Sequence, residues 1–315
     1  MNDQITNTFL MIRPVQFRMN EQTAVNNYYQ KVLDNTSPQN VNSLAVKEFD
    51  AFVKKLKASG IEVIVVQDTQ EFDTPDSIFP NNWISFHQNG SIALYPMFAK
   101  NRRLERKESV VKSIENQGFS ITSVQDYTGA EAASVFLEGT GSIILDRINR
   151  KAYCALSPRA DEGLFIEFCE DFDFFPVVFS AYQNVGEARL KIYHTNVMMC
   201  VGDTFAVVCL EAIDDKKERK NVLSHLKKDG KTIIKISENQ VNQFAGNMLQ
   251  LQGKNQSSYI AMSQAALKSL GQDQIAALRN HGRIISSSLD TIEACGGGSA
   301  RCMMAEIFLP KVAQN

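Results

Sequence analysis

The last part of the chain places a cysteine in a setting suited to a nucleophile. Residues 295–302 read Cys-Gly-Gly-Gly-Ser-Ala-Arg-Cys, and a short run from Cys302 to Leu309 predicts a strand. Three glycines free the backbone of Cβ constraints, so a substrate can approach Cys302 closely. Arg301, directly before it, could help to hold the thiol as thiolate. The alternative is a structural cysteine buried in a C-terminal strand.

A reactive cysteine needs a base or an electropositive setting, which directs attention to the four histidines. His87, His225 and His281 follow a predicted strand or lie in or after predicted helices, where surface and packing roles are usual. His194 opens a predicted hairpin, and Glu138 stands just before a glycine-containing segment. A Cys/His/Glu set suits covalent catalysis at carbon, with thiolate attack, proton transfer by imidazole and a carboxylate that orients the imidazole.

A repeat along the chain gives a reason for these three residues to meet. Residues of polar or catalytic type recur at intervals of 55, 56, 56, 53 and 55 residues. These repeat positions are Asn27, Asn82, Glu138, His194, Asn247 and Cys302. A fixed period is the signature of a repeat architecture. Because six positions accompany five complete units, we expect the strand at Cys302 to complete the first unit and close a ring.

Each unit reads strand, turn, strand, helix, strand, which predicts an α/β fold. We expect a five-bladed α/β propeller built from units of about 55 residues, with residues 1–315 as one catalytic domain. The repeat positions should converge on its axis. Strands are predicted at 8–13, 61–66, 83–86, 92–95, 119–124, 142–145, 152–156, 175–179, 197–201, 205–210, 232–236, 248–251, 259–262 and 283–287. Helices are predicted around 45–56, 103–116, 161–168, 216–228 and 263–280.

The composition is that of an ordinary globular protein and excludes several function classes. The 315 residues are 44% hydrophobic and 22% charged, with a formal net charge of −2, so no basic excess favours nucleic acid. No apolar run approaches membrane-spanning length, and no signal-peptide core is present. Six scattered cysteines without a C-x-x-C pair favour free thiols in a cytoplasmic protein. We expect no metal and no cofactor, because one His and one Cys make a poor zinc ligand set.

Taken together, these residues resemble the pentein or amidinotransferase superfamily. The resemblance rests on the five-fold repeat, Glu138-Gly139, His194-Thr195-Asn196 and the terminal Gly-Gly-Gly-Ser-Ala-Arg-Cys-Met, and covers nearly the whole chain. Within the superfamily the chain is most similar to the bacterial citrulline-utilisation hydrolase group, through Met-Ile-Arg-Pro at 11–14, Phe-Pro-Asn-Asn-Trp at 79–83 and Phe-Ala-Gly-Asn at 244–247. The resemblance implies Cys302 as nucleophile, His194 as general acid/base and Glu138 as the carboxylate beside it.

Two departures from the related arginine deiminases indicate the substrate. Those enzymes typically carry Arg-Asp where this chain has Asn81-Asn82, and a second aspartate where it has Asn196. Amides do not neutralise a buried guanidinium, but they can donate to a carbonyl oxygen and accept from an NH₂. This pattern suits a neutral ureido group. We therefore expect citrulline to be hydrolysed to ornithine, ammonia and carbon dioxide. Succinylarginine dihydrolases also lack the aspartates yet begin with a guanidinium, so a guanidino substrate stays an alternative.

A small amino-acid substrate also needs an anion clamp for its carboxylate, usually an arginine. Arg13, Arg102, Arg103 and Arg301 are the candidates. The expected partner is this small molecule, with neither nucleic acid nor membrane, and a homodimer is left open. Two other functions compete: an arginine or arginine-derivative deiminase or amidinotransferase, and a non-catalytic pentein that acts as a binding protein. The second is disfavoured because a binding module does not need the Cys/His/Glu set.

Overall fold

The fold is built from short strands that alternate with helices along the chain. A computed structural model describes residues 3–34 and 36–312. The strands are β1 (Thr8–Arg13), β2 (Glu62–Gln67), β3 (Ile84–Phe86), β4 (Ser91–Leu94), β5 (Ser123–Asp126), β6 (Ile143–Asp146), β7 (Lys151–Ala155), β8 (Phe175–Phe179), β9 (Tyr182–Val185), β10 (Ala188–Lys191), β11 (Met199–Val201), β12 (Phe205–Val208), β13 (Thr232–Lys235), β14 (Leu249–Gln252), β15 (Ser258–Ser263), β16 (Arg283–Ser287) and β17 (Ala305–Glu306).

The helices connect these strands and include several of a single turn. They are α1 (Glu21–Ala24), α2 (Pro38–Ala58), α3 (Glu108–Glu115), α4 (Gly139–Ser142), α5 (Glu162–Asp171), α6 (Lys216–Lys228), α7 (Glu238–Val241), α8 (Gln264–Ser269), α9 (Gln272–Arg279) and α10 (Asp290–Gly296). Among the residues described, no helix is both long and apolar enough to cross a membrane.

Five three-stranded sheets share one topology within the described part of the chain. Their strand orders are β17-β1-β2, β3-β4-β5, β6-β7-β8, β11-β12-β13 and β14-β15-β16. In each sheet the middle strand pairs antiparallel with the first and parallel with the third. A helical connection before the third strand suits a parallel pair, which a tight hairpin cannot join. The predicted repeat of strand, turn, strand, helix, strand is therefore what the sheets display.

The two ends of the chain meet in the first sheet. β17 pairs antiparallel with β1, with Phe9 opposite Glu306 and Leu10 opposite Ala305. β1 pairs in parallel with β2 from Thr8 opposite Glu62 onwards. The strand after Cys302 thus completes the first unit, as the count of repeat positions predicted.

The longest helix, α2, shows how sequence signals set these elements. Ser37 caps its N-terminus by accepting from the backbone N–H of Asn40, and proline occupies the first turn. Its buried face carries Ala45, Phe49, Phe52 and Leu56 at helical spacing. Burying each large side chain contributes about 1.5–3 kcal/mol. This face packs in a core with side chains from β1 and from the segment around Cys302.

Several boundaries differ from the prediction for local reasons. The strand expected at 119–124 begins only at Ser123, because Phe119 pairs instead with Lys311 in an isolated bridge. The helix expected at 103–116 is broken into a 3-10 turn, Lys100–Glu105, and α3. The elements that were missed include the β9–β10 hairpin, which turns at Gly186 with φ of 58°, and α10, which ends inside the glycine run.

Candidate active site

Five of the six repeat positions meet at one place because each of them precedes the first strand of a sheet. Asn82 ends a 3-10 turn before β3, and Glu138 directly precedes α4 and β6. His194 precedes a 3-10 turn before β11, and Cys302 lies between α10 and β17. The first strands of different sheets start beside one another, since α4 packs against the turns that follow Phe79 and His194. Asn27 is the exception, because it lies in the connection between β1 and α2 and precedes no strand.

His194 and Glu138 form a buried pair. Nε2 of His194 lies 2.7 Å from Oε2 of Glu138. Burial lowers the pKa of His194 to about 4, although Glu138 acts in the opposite direction. Burial alone would raise the pKa of Glu138, but Arg159, His194 and Arg102 outweigh it and lower this pKa to about 2. At neutral pH a neutral imidazole therefore donates its Nε2–H to a carboxylate, and Nδ1 carries the free lone pair.

The Nδ1 side of His194 is kept open by a glycine. A Cβ placed on Gly141 would lie 2.8 Å from this nitrogen and 2.3 Å from Nδ2 of Asn82. Neither distance is compatible with a side chain. Gly141 is thus required by the close approach of two buried polar side chains to the backbone of α4.

Cys302 is buried, with its sulfur facing two side-chain amides. Nδ2 of Asn247 donates to Sγ at 3.2 Å, and Nδ2 of Asn196 does so at 3.4 Å. Its backbone N–H donates to the carbonyl of Ser299 at 3.0 Å. Two amide donors are therefore directed at one sulfur, and hydrogen bonds to a charged acceptor are stronger than those to a neutral one.

The glycine run before Cys302 forms the end of α10 and the turn that follows it. Gly297 adopts φ of +62°, the left-handed conformation that ends a helix. Asn27 donates to the carbonyl of Gly296 at 3.2 Å, and the hydroxyl of Tyr193 donates to that of Gly297 at 2.5 Å. The loop that presents the thiol is therefore held by side chains from two other parts of the chain.

A cavity of about 10 Å³ joins the thiol and the imidazole. It is lined by Asn27, Asp76, Phe79, Asn82, Arg102, Arg159, Tyr193, His194, Gly296, Gly298 and Cys302. The cavity is about as large as one water-sized sphere, so neighbouring segments must move to admit an amino acid. In the described chain, no group of three or more His, Cys, Asp or Glu side chains could hold a metal ion.

The three asparagines expected at the substrate are buried at or beside this cavity. Oδ1 of Asn82 accepts from Nη1 of Arg102 at 2.9 Å, while its Nδ2 has no partner among the described residues. Asn196 directs Nδ2 at Cys302 and leaves Oδ1 without a described partner. Asn81 donates to the hydroxyl of Thr140 at 3.3 Å and does not line the cavity.

Three of the four arginines expected to hold the substrate carboxylate lie elsewhere. Arg13 forms a part-exposed ion pair with Asp50 at 2.8 Å. Arg103 donates to the carbonyl of Met97 at 3.0 Å. Arg301 donates to Glu306 and to the carbonyl of Met304, both at 2.8 Å, so its guanidinium is engaged away from the thiol of Cys302.

Two other arginines line the cavity instead. Arg102, a candidate in the sequence, is buried and held by Glu105 through two hydrogen bonds of 2.9 Å. Arg159, which sequence reasoning missed, is buried and donates to Asn26. A signal was available: each arginine lies in the loop that follows the second strand of a hairpin, shortly after a proline.

Asp76 is a further cavity residue that sequence reasoning missed. It is 2% exposed, and its Oδ2 accepts from Asn20 at 2.8 Å and from Thr23 at 3.2 Å. Its Oδ1 has no partner within the described residues. Burial raises the pKa of Asp76, although Arg102 and Arg159 act against that rise. Its only signal was an acidic turn, residues 73–76, before the Phe-Pro-Asn-Asn segment.

Comparison with known proteins identifies the family of the chain. The family model described as N,N dimethylarginine dimethylhydrolase, eukaryotic, matches residues 13–309. The chain belongs to this family. The suspected pentein superfamily is thereby confirmed, and the chain is homologous to C–N hydrolases that act on non-peptide bonds. No curated protein matches the sequence.

Solved structures share the fold at low sequence identity. ArgZ, a cyanobacterial arginine dihydrolase, has a TM-score of 0.72 at 17% identity over 97% of this chain and 41% of its own. An AgrE mutant bound to L-arginine has a TM-score of 0.73 at 16% identity over 97% of this chain and 40% of its own. A dimethylarginine dimethylaminohydrolase adduct has a TM-score of 0.64 at 14% identity over 98% of this chain and 100% of its own. The chain thus spans about two fifths of ArgZ and AgrE.

Proposed function

We propose that this member of the family hydrolyses the terminal C–N bond of a ureido or guanidino amino acid through a covalent intermediate on Cys302. The cavity shared by Cys302 and His194, together with the Glu138 contact to His194, carries this proposal. Asn196 and Asn247 stabilise the thiolate, and Glu138 orients His194 so that Nδ1 acts as the base.

The substrate that the polar atoms fit best is citrulline. Arg102 fixes the orientation of the Asn82 amide by donating to its Oδ1, so the unpartnered Nδ2 remains a donor. The unpartnered Oδ1 of Asn196 remains an acceptor. A ureido group offers one carbonyl oxygen and an NH₂, which complement this donor and acceptor. A guanidinium has only donors and would leave Nδ2 of Asn82 unpaired, at a cost of about 1–3 kcal/mol.

The reaction follows from these assignments. Nδ1 of His194 takes the proton of the Cys302 thiol, the sulfur attacks the ureido carbon, and the C=O electron pair moves onto oxygen. When the carbonyl re-forms, ammonia leaves with a proton from His194, and an N-alkyl thiocarbamate remains on the sulfur. Water, deprotonated by His194, then displaces the thiolate. The carbamate that is released loses carbon dioxide, so citrulline and water give ornithine, ammonia and carbon dioxide.

The α-carboxylate of the substrate is assigned to the two cavity arginines. Arg102 and Arg159 are the guanidinium groups that line the cavity in the described chain. A planar guanidinium binds a carboxylate through two parallel hydrogen bonds. These residues replace Arg13, Arg103 and Arg301 in our proposal, because those three do not line the cavity.

Arginine or a methylated arginine is a second substrate class, favoured by Asp76. This buried carboxylate lines the cavity and has an oxygen without a described partner. It could supply the negative charge that Asn82 and Asn196 do not. The matched family is described as a dimethylarginine hydrolase, and the AgrE mutant was solved with L-arginine bound. Both ligands belong to this substrate class.

The finer architecture and location belong to the same proposal. Five sheets of one topology, joined at the ends of the chain, support a five-bladed propeller with the active site on its axis. All six cysteines are unpaired and buried, which favours a reducing compartment such as the cytoplasm.

A substrate screen tests the proposal. The purified protein is incubated with citrulline, arginine, methylated arginines and agmatine, and ammonia and ornithine are measured. Intact mass is recorded after treatment with a haloacetamidine, which should add one adduct to Cys302. We expect the highest kcat/KM with citrulline. Absence of product from every substrate, with no adduct, would overturn the hydrolase assignment.

A further inference from the structure

A second cavity lies at the other ends of the strands that carry active-site residues. Its volume is about 410 Å³, and it is lined by His87, Gln88, Asn89, Arg147, Arg150, Phe172, Asp173 and Phe174. Residues 87–89 follow β3, and residues 147–150 join β6 to β7. Asn82 and Glu138 precede these same strands. At about 3.3 Å per residue, the four residues of β6 separate the two cavities by roughly 13 Å.

Arg147 is a buried cation with no counter-charge at hydrogen-bond distance among the described residues. It is 5% exposed, and its guanidinium forms no hydrogen bond or ion pair with a described residue. Its contact is with the ring of Phe308, 4.0 Å from the guanidinium carbon. Burial lowers the pKa of Arg147 to about 10, so it stays charged at neutral pH. An unpaired buried charge is costly unless a ligand supplies the missing partner.

Arg150 adds charge to the same cavity. Its guanidinium donates to the carbonyls of Phe172 and Asp173 and lies over the ring of Phe174 at 4.2 Å. The carboxylate of Asp173 is 3.6 Å from it, with an almost fully exposed side chain. Two arginines and one aspartate leave the cavity with one net positive charge.

Neutral donors complete the lining. Nε2 of His87 pairs with the hydroxyl of Ser85 at 2.8 Å, so Nδ1 is its remaining polar atom. Burial, with Arg147 and Arg150 nearby, lowers the pKa of His87 well below its usual value and keeps the ring neutral. Gln88 and Asn89 also line the cavity. Together these side chains and the two arginines offer more N–H donors than the two oxygens of a carboxylate can accept from. A phosphate group suits them better, because it presents three peripheral oxygens.

We propose that Arg147, with Arg150 and His87, binds the phosphate group of a small molecule in this cavity. The planar guanidinium of Arg147 donates two parallel hydrogen bonds to two phosphate oxygens. The cavity volume leaves room for an organic group beside the phosphate. The ligand is therefore free phosphate or a phosphorylated metabolite, and the site is separate from the one that holds the substrate.

Binding is measured by calorimetry with inorganic phosphate, adenosine monophosphate and, as a carboxylate control, acetate, at constant ionic strength. We expect saturable binding of phosphate and none of acetate. Arg147→Gln should weaken phosphate binding at least tenfold. Arg279→Gln, which removes the same charge from an exposed position of α9, should leave it unchanged.

A second variant keeps Arg147 in place in case its loss unfolds the protein. Gln88→Glu adds a negative charge to the cavity wall and should also weaken phosphate binding at least tenfold. Tighter binding of adenosine monophosphate than of phosphate would assign the site to an organic phosphate, and equal binding would assign it to free phosphate. Equal binding of acetate, or a phosphate affinity unchanged in both Arg147→Gln and Gln88→Glu, would overturn the proposal.

Discussion

The side-chain amide of Asn247 donates to the sulfur of Cys302 at 3.2 Å. The orientation of that amide is determined on both sides: its Oδ1 accepts from the backbone of Arg301 at 3.1 Å, and its Nδ2 also donates to the carbonyl of Asn196 at 3.1 Å. The sulfur therefore meets a donor that is already in place. Preorganised donors stabilise charge without reorganisation during the reaction.

Replacing the proposed nucleophile should abolish turnover. Cys302→Ser should lower kcat by several orders of magnitude with the fold intact, because a hydroxyl is a far weaker nucleophile and the three catalytic groups act as a unit. Citrulline hydrolysis and the circular dichroism spectrum are compared with those of Cys169→Ala, a buried cysteine of α5. Near-normal activity of Cys302→Ser would remove Cys302 from the mechanism.

A methyl group at Gly141 should displace His194, the proposed base, or its neighbour Asn82. The added Cβ of Gly141→Ala would lie 2.3 Å from Nδ2 of Asn82 and 2.8 Å from Nδ1 of His194, so one of them must move. We expect kcat/KM to fall at least a hundredfold, since a displacement of about 1 Å can have that effect. Gly129→Ala is the matched control, because nothing lies within 4 Å of its Cβ. Equal activity of the two variants would contradict this geometry.

Exchanging the amides for carboxylates should change the preferred substrate. Asn82→Asp with Asn196→Asp should weaken citrulline hydrolysis and improve arginine binding, since a guanidinium requires a counter-charge. The ratio of kcat/KM for the two substrates measures specificity. If the unmodified protein prefers arginine, Asp76 already supplies that charge and the second substrate class takes the place of the first.

The arginines of the cavity should determine substrate affinity. Arg159→Lys should raise KM at least tenfold with a smaller effect on kcat, because an ammonium cannot form the two parallel bonds of a guanidinium. Arg103→Lys, outside the cavity and bonded to Met97, is the matched control. A larger effect of Arg103→Lys than of Arg159→Lys would restore the assignment made from sequence.

The stability of the protein should depend on the titration of Glu293. This buried carboxyl accepts from the hydroxyl of Ser299 at 2.5 Å, and burial raises its pKa to about 7. Between the ordinary pKa of 4.5 and about 7 the folded state holds a proton that the unfolded state has lost. The free energy of unfolding therefore decreases as pH rises through this window.

Glu293→Gln should flatten that part of the curve of unfolding free energy against pH. Urea denaturation from pH 5 to pH 8 measures it. Glu115→Gln, an exposed change at the end of α3, is the control. Glu105, whose pKa burial also raises to about 7, leaves some slope in every variant. An identical slope in wild type and Glu293→Gln would contradict the prediction.

The repeat was predictable because its signal is periodic and local. Each unit carries its own strand pattern and its own polar residue, so the spacing from Asn82 to Cys302 is visible without tertiary information. The placement of the first strands of the sheets then brings His194, Glu138 and Cys302 together. The repeat in the sequence therefore predicts which residues meet, without any information about tertiary packing.

The substrate end of the site was not predictable in the same way. Arg159 and Asp76 come from loops whose position depends on contacts far away in sequence, such as the bond from Arg159 to Asn26. Arg301 precedes the nucleophile directly, yet its side chain turns to Glu306. Helix α10 was missed because glycine disfavours helices, whereas here Gly296 ends one and Gly297 supplies the left-handed residue after it.

The pairing of β17 with β1 has a consequence for when the protein becomes reactive. Phe9 and Glu306 lie almost 300 positions apart, so closing this loop is among the most entropically demanding contacts in the chain. Cys302 lies just before β17 and reaches His194 only when that closure is made. On the proposed mechanism, a partly folded chain lacks the pairing of thiol and imidazole, and hydrolysis begins only once the ends have met.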